Sequence, residues 1–374
     1  MQVSEQSLTP IQLQRLSEQS TRYTRPAFLL QLLLLVLLVL CPLLFQSFRV
    51  MDVVAKIMIF AVAVASFDII IGYTGIISFA HGMFFGIGAY AVGLVAYYAK
   101  APDYHHILMG LGLAVLLAVI LAVVIAFFSL RVKAIFFAMM TLAVAEFAHI
   151  LGYQWSSLTK GEDGVSFKMP GIFNVNWSDG SILGVPLNGR LVTYYFILIV
   201  SVLLFVGIVR FVRSPAGRVL KGIRDNEQRA TALGYRIFRY RMLSTVFGST
   251  ISALCGGLFA MWLNYVNPDT VLGIPLMLNI LLMVIVGGLG TIYGGIVGAA
   301  FINIAETWLP DLQKVTASLF PGWEVLQRLS ERWVLYFGIL YVLVVLFFPK
   351  GLLGSLRDMA ARRKAAPKLG GPHA

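Results

Sequence analysis

The chain has 374 residues, of which 59% are apolar and 12% charged, and its mean hydropathy is +0.85. A soluble protein of this length cannot bury so much apolar surface in one core, so the composition excludes an ordinary globular domain and favours a polytopic membrane protein. The net charge of +12 comes mostly from loops expected on one side of the membrane. We therefore expect contact with the lipid bilayer and no nucleic-acid partner.

The polar residues 1–27 precede the first apolar run. They lack the arrangement of a signal peptide, which opens with a short basic region directly before its apolar stretch. We expect residues 1–27 to form a cytoplasmic N-terminal segment and the following apolar run to be a retained first span.

Apolar runs of roughly 20 residues, the length that crosses a bilayer, recur along the chain. The sequence predicts an all-α polytopic integral membrane protein with about ten transmembrane helices, some of them broken in Gly-rich segments. We place the spans near residues 28–48, 52–72, 78–99, 107–130, 134–152, 192–212, 242–264, 272–289, 294–309 and 333–349.

The distribution of Lys and Arg predicts the orientation of these spans. Segments expected on the cytoplasmic side hold 20 Lys and Arg residues, whereas the expected outer segments hold 8. Because basic residues in short loops resist translocation, this bias places both chain ends in the cytoplasm. We expect a transmembrane domain over 28–349, an outer loop at 153–191 and a basic cytoplasmic tail at 350–374.

Two apolar runs are interrupted by closely spaced glycines, one in each half of the chain. Gly72 and Gly75 separate the second and third spans, and Gly287 and Gly290 separate the eighth and ninth. Paired Gly-interrupted segments in the two halves of a transporter indicate a substrate path between them. We hypothesise that these breaks line a translocation path.

Each break is followed by two glycines four residues apart. Gly82 and Gly86 follow the first break, and Gly294 and Gly298 follow the second. This spacing leaves one helix face bare, so that another helix can approach closely. A second interpretation therefore stays open, in which the glycines only permit tight packing within a bundle.

Ionisable residues inside the predicted spans are costly and each merits a functional hypothesis. Asp68 is expected to bind a substrate ammonium group, to satisfy the free backbone N–H groups of a broken helix, or to pair with a neighbouring residue. His81 follows the same break and is either part of the path or a structural histidine with its hydrogen bonds satisfied. Glu146 and His149 share one helix face, as a proton relay or as a local hydrogen-bonded pair.

The strongly hydrophilic stretch between two spans is residues 213–241. From Arg210 to Arg241 there are nine Lys and Arg residues against two acidic residues, Asp225 and Glu227. Such a loop belongs on the cytoplasmic side. It either docks onto a soluble partner or serves only to fix the topology.

A short helix is predicted within this stretch. Ser214 can cap its N-terminus, Pro215 suits the first helical position, and Gly234 allows a turn after it. One apolar side and one charged side are predicted, formed respectively by Val219, Ile223, Ala230 and Leu233, and by Lys221, Arg224, Asp225 and Arg229.

The run GRVLKGIRDNEQRATALGY, with SFDIIIGYTGIISFAHGMFFGIGAY upstream, resembles permease subunits of branched-chain amino-acid ABC importers, of the LivM type. The resemblance covers roughly residues 50 to 350 in one order. Of the family's textual motif, Glu-Ala-Ala, three residues and then Gly, only Ala230 and Gly234 match.

The resemblance implies that the cytoplasmic loop contacts an ATPase subunit. The loop residues implied in this contact are Gly217, Arg218, Arg224, Asp225, Asn226, Glu227, Gln228, Arg229, Ala230 and Gly234. The residues assigned to the translocation path are Asp68, Gly72, Gly75, His81, Gly82, Glu146, Gly287 and Gly290.

The resemblance also implies a set of partners and a location. The partners are a second, homologous permease subunit, two cytoplasmic ATP-binding subunits and a periplasmic solute-binding protein. The location is the bacterial inner membrane, and no cofactor is implied. The chain itself contains no Gly-x-x-x-x-Gly-Lys-Ser/Thr motif, so a permease driven by ATP must use the nucleotide site of another chain.

Three classes of function are compatible with a chain of this kind. An ABC permease subunit transports only with its ATPase partners, whereas a secondary transporter works alone through titrating residues in the membrane. A membrane-embedded enzyme needs a nucleophile or metal set that the sequence does not display. The resemblance favours the first class, with branched-chain amino acids as substrates and urea, amides or other small organic solutes as alternatives.

Overall fold

A computed structural model shows the protein as a bundle of helices. The described residues are 33–45, 47–99, 102–132, 134–174, 176–182, 185–311, 332–349 and 351–355. The predicted N-terminal segment 1–27, the first residues of the first predicted span and most of the predicted tail lie outside the described residues.

The elements follow one another in chain order. The first part contains α1 (Leu33–Leu44), α2 (Phe48–Thr74), α3 (His81–Tyr98), α4 (Tyr104–Ser129) and α5 (Ala134–Gln154). The middle contains α6 (Ser156–Thr159), β1 (Val165–Ser166), α7 (Gly171–Asn174), β2 (Asn176–Ile182), β3 (Val185–Asn188) and α8 (Gly189–Arg213). The last part contains α9 (Pro215–Asp225), α10 (Glu227–Ala232), α11 (Ile237–Leu263), β4 (Tyr265–Val266), α12 (Pro268–Val271), α13 (Ile274–Gly287), α14 (Ile292–Trp308) and α15 (Trp333–Phe347).

Eight helices in the described part of the chain are long and apolar enough to cross a membrane. Together with α1 and α3 they correspond to the ten predicted spans. The prediction of an all-α polytopic protein with about ten spans is therefore confirmed. The strands are small additions, since β1 pairs with β4 and β2 pairs with β3, both antiparallel.

Helices α2, α3 and α11 form the centre of the bundle because small residues let their backbones approach. A Cβ atom on Gly88 of α3 would overlap the carbonyl of Ala253, and one on Gly256 of α11 would overlap the carbonyl of Phe85. In the most apolar stretch of α2, 78% of the residues are buried, against 22% in α5. Helix α5 therefore lies at the periphery, where it faces lipid or another chain.

Helix α2 ends at a glycine and α3 begins well inside the bundle. Gly75 adopts a left-handed conformation with φ of +74°, and the residues after it have no regular structure until His81. The Phe79 N–H of this irregular stretch donates to the Thr141 hydroxyl of α5 at 3.1 Å. This side chain replaces a helical partner, as irregular backbone within a membrane protein requires.

A proline in α1 creates a similar need on the other side of the bundle. Pro42 has no N–H, so the carbonyl of Leu38, four residues earlier, loses its helical partner. The buried Tyr194 hydroxyl of α8 donates to this carbonyl at 2.8 Å. The neighbouring Tyr195 donates to Val39 in the same way at 3.1 Å. Two tyrosines thus attach α1 to α8 through its backbone.

Candidate functional site

The hydrophilic stretch forms two helices, whereas the sequence analysis treated it as one. Ser214 caps α9 by accepting from the Gly217 N–H at 3.4 Å, with Pro215 in the first turn, as predicted. Helix α9 ends at Asp225, and Asn226 is extended. Its side chain accepts from the backbone N–H of the third residue after it at 2.8 Å and so starts α10. The break arises because an Asn side chain competes well for N-terminal N–H groups.

One face of α9 packs against the ends of the membrane helices. Leu220 is 0% exposed and Ile223 1% exposed, and both lie on the same side of the helix as the buried Gly217. A Cβ atom on Gly217 would overlap the carbonyl of Val212 at the end of α8. Glycine is therefore needed where the chain turns from α8 into α9.

The charged side of α9 does not face only the solvent. The Arg224 guanidinium donates from Nη1 to the carbonyl of Gly72 at the end of α2. The Lys221 ammonium lies 5.0 Å from the ring centroid of Tyr73. This corrects the predicted charged outer face, because two of its four residues contact the membrane domain. The correction has a physical basis, since the last carbonyls of a helix attract cations.

The two glycine breaks meet in space at this same end of the bundle. Asp68 of α2 is 2% exposed, and its Oδ1 accepts from the Gly290 N–H at 2.7 Å. A Cβ atom on Gly72 would lie 2.5 Å from the Gly290 nitrogen and would overlap Asp68 Oδ1. Gly290 has φ of +76°, which only glycine adopts readily. We call this cluster of Asp68, Gly72, Gly290 and Arg224 the glycine junction.

Neighbouring glycines complete the packing around the junction. A Cβ atom on Gly287 would overlap the carbonyl of Gly294, so α13 and α14 touch through their backbones. A Cβ atom on Gly351 would lie 2.5 Å from the Gly288 nitrogen. The chain after α15 therefore also contacts the turn between α13 and α14. Gly75 lies at the edge of the cluster, where a Cβ atom would be 3.5 Å from Arg224 Cγ.

His81 lies in the core, with its side chain and backbone joined to two other helices. Its Nε2 is 3.1 Å from Ser66 Oγ and 3.2 Å from the carbonyl of Ala63, both on α2. Its own carbonyl accepts from Ser252 of α11 at 2.9 Å. The adjacent Gly82 faces α13 through close packing. These contacts fix the first turn of α3, and the sequence offered no signal for the two serine partners.

Glu146 lies apart from the glycine junction, near the middle of α5. Its Oε1 is 3.6 Å from His149 Nδ1, and His149 Nε2 is 3.1 Å from Asp269 Oδ1 of α12. The Glu146 side chain is 40% exposed on a mostly apolar helix. A carboxylate in contact with acyl chains is costly, so this face is suited to water or to another chain. Asp269 was not predicted, since it follows His149 by 120 residues.

Two cavities adjoin α5. One, of about 150 Å³, is lined by Glu146 together with Phe79, Met83 and Met277. The other is an apolar cleft of about 1040 Å³ between α3, α4 and α5. The structure thus places Glu146 beside the start of α3, but it does not bring Glu146 to Asp68.

Residues 49–347 match the sequence profile of a family described as the permease component of the branched-chain amino acid transport system. The chain belongs to this family. The permease is thus a transport subunit of an ABC system and a multi-pass protein of the inner membrane.

Curated relatives agree with the family match. Over 355 residues the permease is 24% identical to the high-affinity branched-chain amino acid transport system permease protein LivM of Escherichia coli K12, covering 90% of this chain and 77% of that protein. Over 301 residues it is 25% identical to the corresponding LivH of Salmonella typhimurium, covering 79% of this chain and 91% of that protein. Over 161 residues it is 27% identical to a probable LivM of Methanocaldococcus jannaschii, covering 42% and 45%. No solved structure matches the chain.

Proposed function

We propose that this permease forms the translocation path of an ATP-driven importer for branched-chain amino acids, together with a second permease subunit. Two cytoplasmic ATP-binding subunits dock on α9 and α10, and a periplasmic binding protein delivers the solute. The observation that carries the proposal is the glycine junction, where Arg224 of α9 donates to the Gly72 carbonyl of one break and lies against Gly290 of the other. Both chain ends then lie in the cytoplasm, on the side of α9.

The outer surface of α9 and α10 supports the assignment of the ATPase contact. Helix α10 is fixed to α11 because Glu227 receives two hydrogen bonds from Arg241, at 2.9 and 3.1 Å. The buried Ala230 holds its other side. Of the residues left exposed, we assign six to the surface here called the docking surface: Arg218, Asp225, Gln228, Arg229, Leu233 and Tyr235.

Leu233 gives the docking surface an apolar centre. The sequence analysis placed Leu233 on the packed side of the helix, but it is 71% exposed. Gly234, with φ of +87°, turns the chain directly after it, and a Cβ atom there would meet no atom within 4 Å. An exposed leucine among charged and polar residues is the arrangement of an interface centre with a polar rim.

Helix α5 is the surface that we assign to contact with the second permease subunit. The chain is similar both to LivM and to LivH proteins, which supports a pair of homologous permeases. The peripheral α5 carries the exposed Glu146, which lipid would not tolerate well. We infer that α5 faces the second permease and that solute passes between the two chains.

Purification of the tagged permease from its own membranes in mild detergent tests this function. We expect a second permease and an ATPase with a phosphate-binding loop to co-purify and to hydrolyse ATP. Leu233→Asp should release the ATPase while the second permease stays bound. The matched control is Arg131→Glu, at the connection between α4 and α5 on the same side, which should retain both. A chain that purifies alone and transports in liposomes under an ion gradient contradicts the proposal.

A further inference from the structure

Arg224 belongs by sequence to the segment assigned to ATPase docking, yet its guanidinium is directed at the membrane domain. It donates to the Gly72 carbonyl, and Gly290 leaves room for it, since a Cβ atom on Gly290 would lie 2.7 Å from Arg224 Nη1. Arg224 and Arg229 are both exposed, but among the described residues only the Arg224 side chain has a recorded hydrogen bond to these breaks. Two arginines of one short segment thus face different surroundings.

The charge of Arg224 has a counterpart in the core. Asp68 uses Oδ1 to accept from Gly290, while its buried Oδ2 has no hydrogen-bond partner among the described residues. The Arg224 guanidinium reaches the same place, since Gly290, whose N–H bonds to this carboxylate, is the residue against which Arg224 Nη1 lies. A buried carboxylate is stabilised only when charge and hydrogen bonds compensate for its lost hydration. Gly290 therefore lies between the guanidinium and the carboxylate.

The glycines make this pair a connection between three elements. Because Gly72 has no Cβ atom, the end of α2 can lie directly against the turn before α14. Arg224 bonds to the α2 side of this contact, and Asp68 bonds to the α14 side. Arg224 therefore contacts both breaks, because it bonds to the Gly72 carbonyl and lies against Gly290.

We propose that Arg224 is a positioning residue that transmits movement of α9 to both glycine turns through the Gly72 carbonyl and Asp68, and that it is not part of the ATPase docking surface. The inference rests on the proposed function and narrows it, because it divides the basic residues of one segment into a docking group and a transmitting group.

The first test uses the complete transporter with its natural partners, reconstituted in liposomes. Arg224→Gln should keep the ATPase bound at the wild-type level while uptake per ATP hydrolysed falls about tenfold, within the range of energetic coupling between linked sites. Arg224→Lys should restore part of the uptake, because an ammonium group keeps the charge. Arg229→Glu on the docking surface should instead release the ATPase.

The pairing with Asp68 is tested in the same assay. Asp68→Asn keeps an acceptor for the Gly290 N–H and removes the charge, so it should reduce uptake per ATP as Arg224→Gln does. The double variant should show no further loss, because substitutions within one network are not additive. Additive losses would show that the two residues act separately and would overturn the proposal.

A spectroscopic distance serves as a readout that needs only a folded complex. Spin labels are placed at Gly222→Cys, where a Cβ atom meets nothing within 4 Å, and at Leu289→Cys, which is 45% exposed. With Arg224 present, the distance between labels should stay constant between the nucleotide-free and ATP-bound states. In Arg224→Gln it should change, and equal behaviour of both would overturn the proposal.

The outcomes separate this inference from the proposed function. Release of the ATPase by Arg224→Gln, to the extent seen with Arg229→Glu, would make Arg224 a docking residue and leave the proposed function intact. If the wild-type permease co-purifies with no ATPase, both the proposed function and this inference are wrong.

Discussion

Two carboxylates predicted for the same path, Asp68 and Glu146, occupy opposite kinds of surroundings. Asp68 is 2% exposed and bonded to backbone, whereas the Glu146 side chain is 40% exposed beside a cavity. Intramembrane ionisable residues thus divide into those that stabilise broken backbone and those that face an opening. The two acids therefore differ in burial and in the type of partner, although both were predicted to line one path.

The regions around the two carboxylates also differ in packing. The glycine junction is closely packed: α2 lies against the turn between α13 and α14 through close backbone contacts, and α9 joins it through the Arg224 side chain. The α5 side is loosely packed, with an apolar cleft of about 1040 Å³ next to it. A rigid junction suits the transmission of movement, and an open side suits contact with a second chain.

The largest effect is expected from Gly72→Ala, which disturbs the surroundings of the buried Asp68. The added Cβ atom would lie 2.5 Å from the Gly290 nitrogen and would overlap Asp68 Oδ1. Overpacking of this kind costs about 1–3 kcal/mol, and here it also separates the two breaks. We expect uptake to be lost and the thermal stability of the complex to fall. Gly207→Ala on α8, where a Cβ atom meets nothing within 4 Å, is the matched control and should change neither.

A second effect distinguishes Gly290, within the glycine junction, from Gly75 at its edge. Both Gly75 and Gly290 have positive φ, of +74° and +76°, so an alanine costs about 1–2 kcal/mol at either site. At Gly290 the Cβ atom would also lie 2.7 Å from Arg224, whereas at Gly75 it would be in ordinary contact. We expect Gly290→Ala to reduce uptake per ATP more than Gly75→Ala does, at similar expression. Equal uptake in the two variants would contradict the contact with Arg224.

The fold was largely predictable from the sequence because each apolar run can be assigned to a helix independently of the others. Each apolar run of bilayer length specifies one helix, and the spans predicted from 52–72 to 333–349 correspond to helices of the structure. The cap at Ser214 and Pro215 was also predictable, since capping depends on adjacent residues. Local patterns of this kind do not depend on what a helix packs against.

The site was less predictable because its contacts are not local. A cation on one face of α9 gives the same pattern whether it faces water or the carbonyl of Gly72, so the direction of Arg224 could not be predicted. Leu233 was placed on the wrong face because Asn226 ends one helix and starts another, which changes the rotation of all later residues. The division of the Gly-rich residues into a path and a packing role stays a prediction.

A third prediction concerns the exposed carboxylate. Glu146→Gln removes a charge beside a cavity without removing a buried hydrogen bond, so we expect the melting temperature to stay unchanged. If Glu146 faces the solute, uptake should fall about tenfold, equivalent to about 1.4 kcal/mol, while ATP hydrolysis per complex stays normal. Uptake and hydrolysis are measured in the same liposomes. Wild-type uptake in this variant would show that Glu146 does not line the path. Asp68→Asn is the comparison variant, because it should reduce uptake per ATP hydrolysed.

The smallest expected effect concerns Tyr194, a second buried side chain that, like Asp68, forms a hydrogen bond with a backbone group. Tyr194 donates to the Leu38 carbonyl that Pro42 leaves without a partner, as Asp68 accepts from Gly290. Tyr194→Phe should destabilise the permease by about 0.6 kcal/mol, the mean for hydrogen bonds between membrane helices. In a Pro42→Ala background the carbonyl regains a helical N–H, so the same substitution should cost less. Thermal unfolding of the four variants measures the difference, and equal costs in both backgrounds would show that Tyr194 does not compensate for the proline.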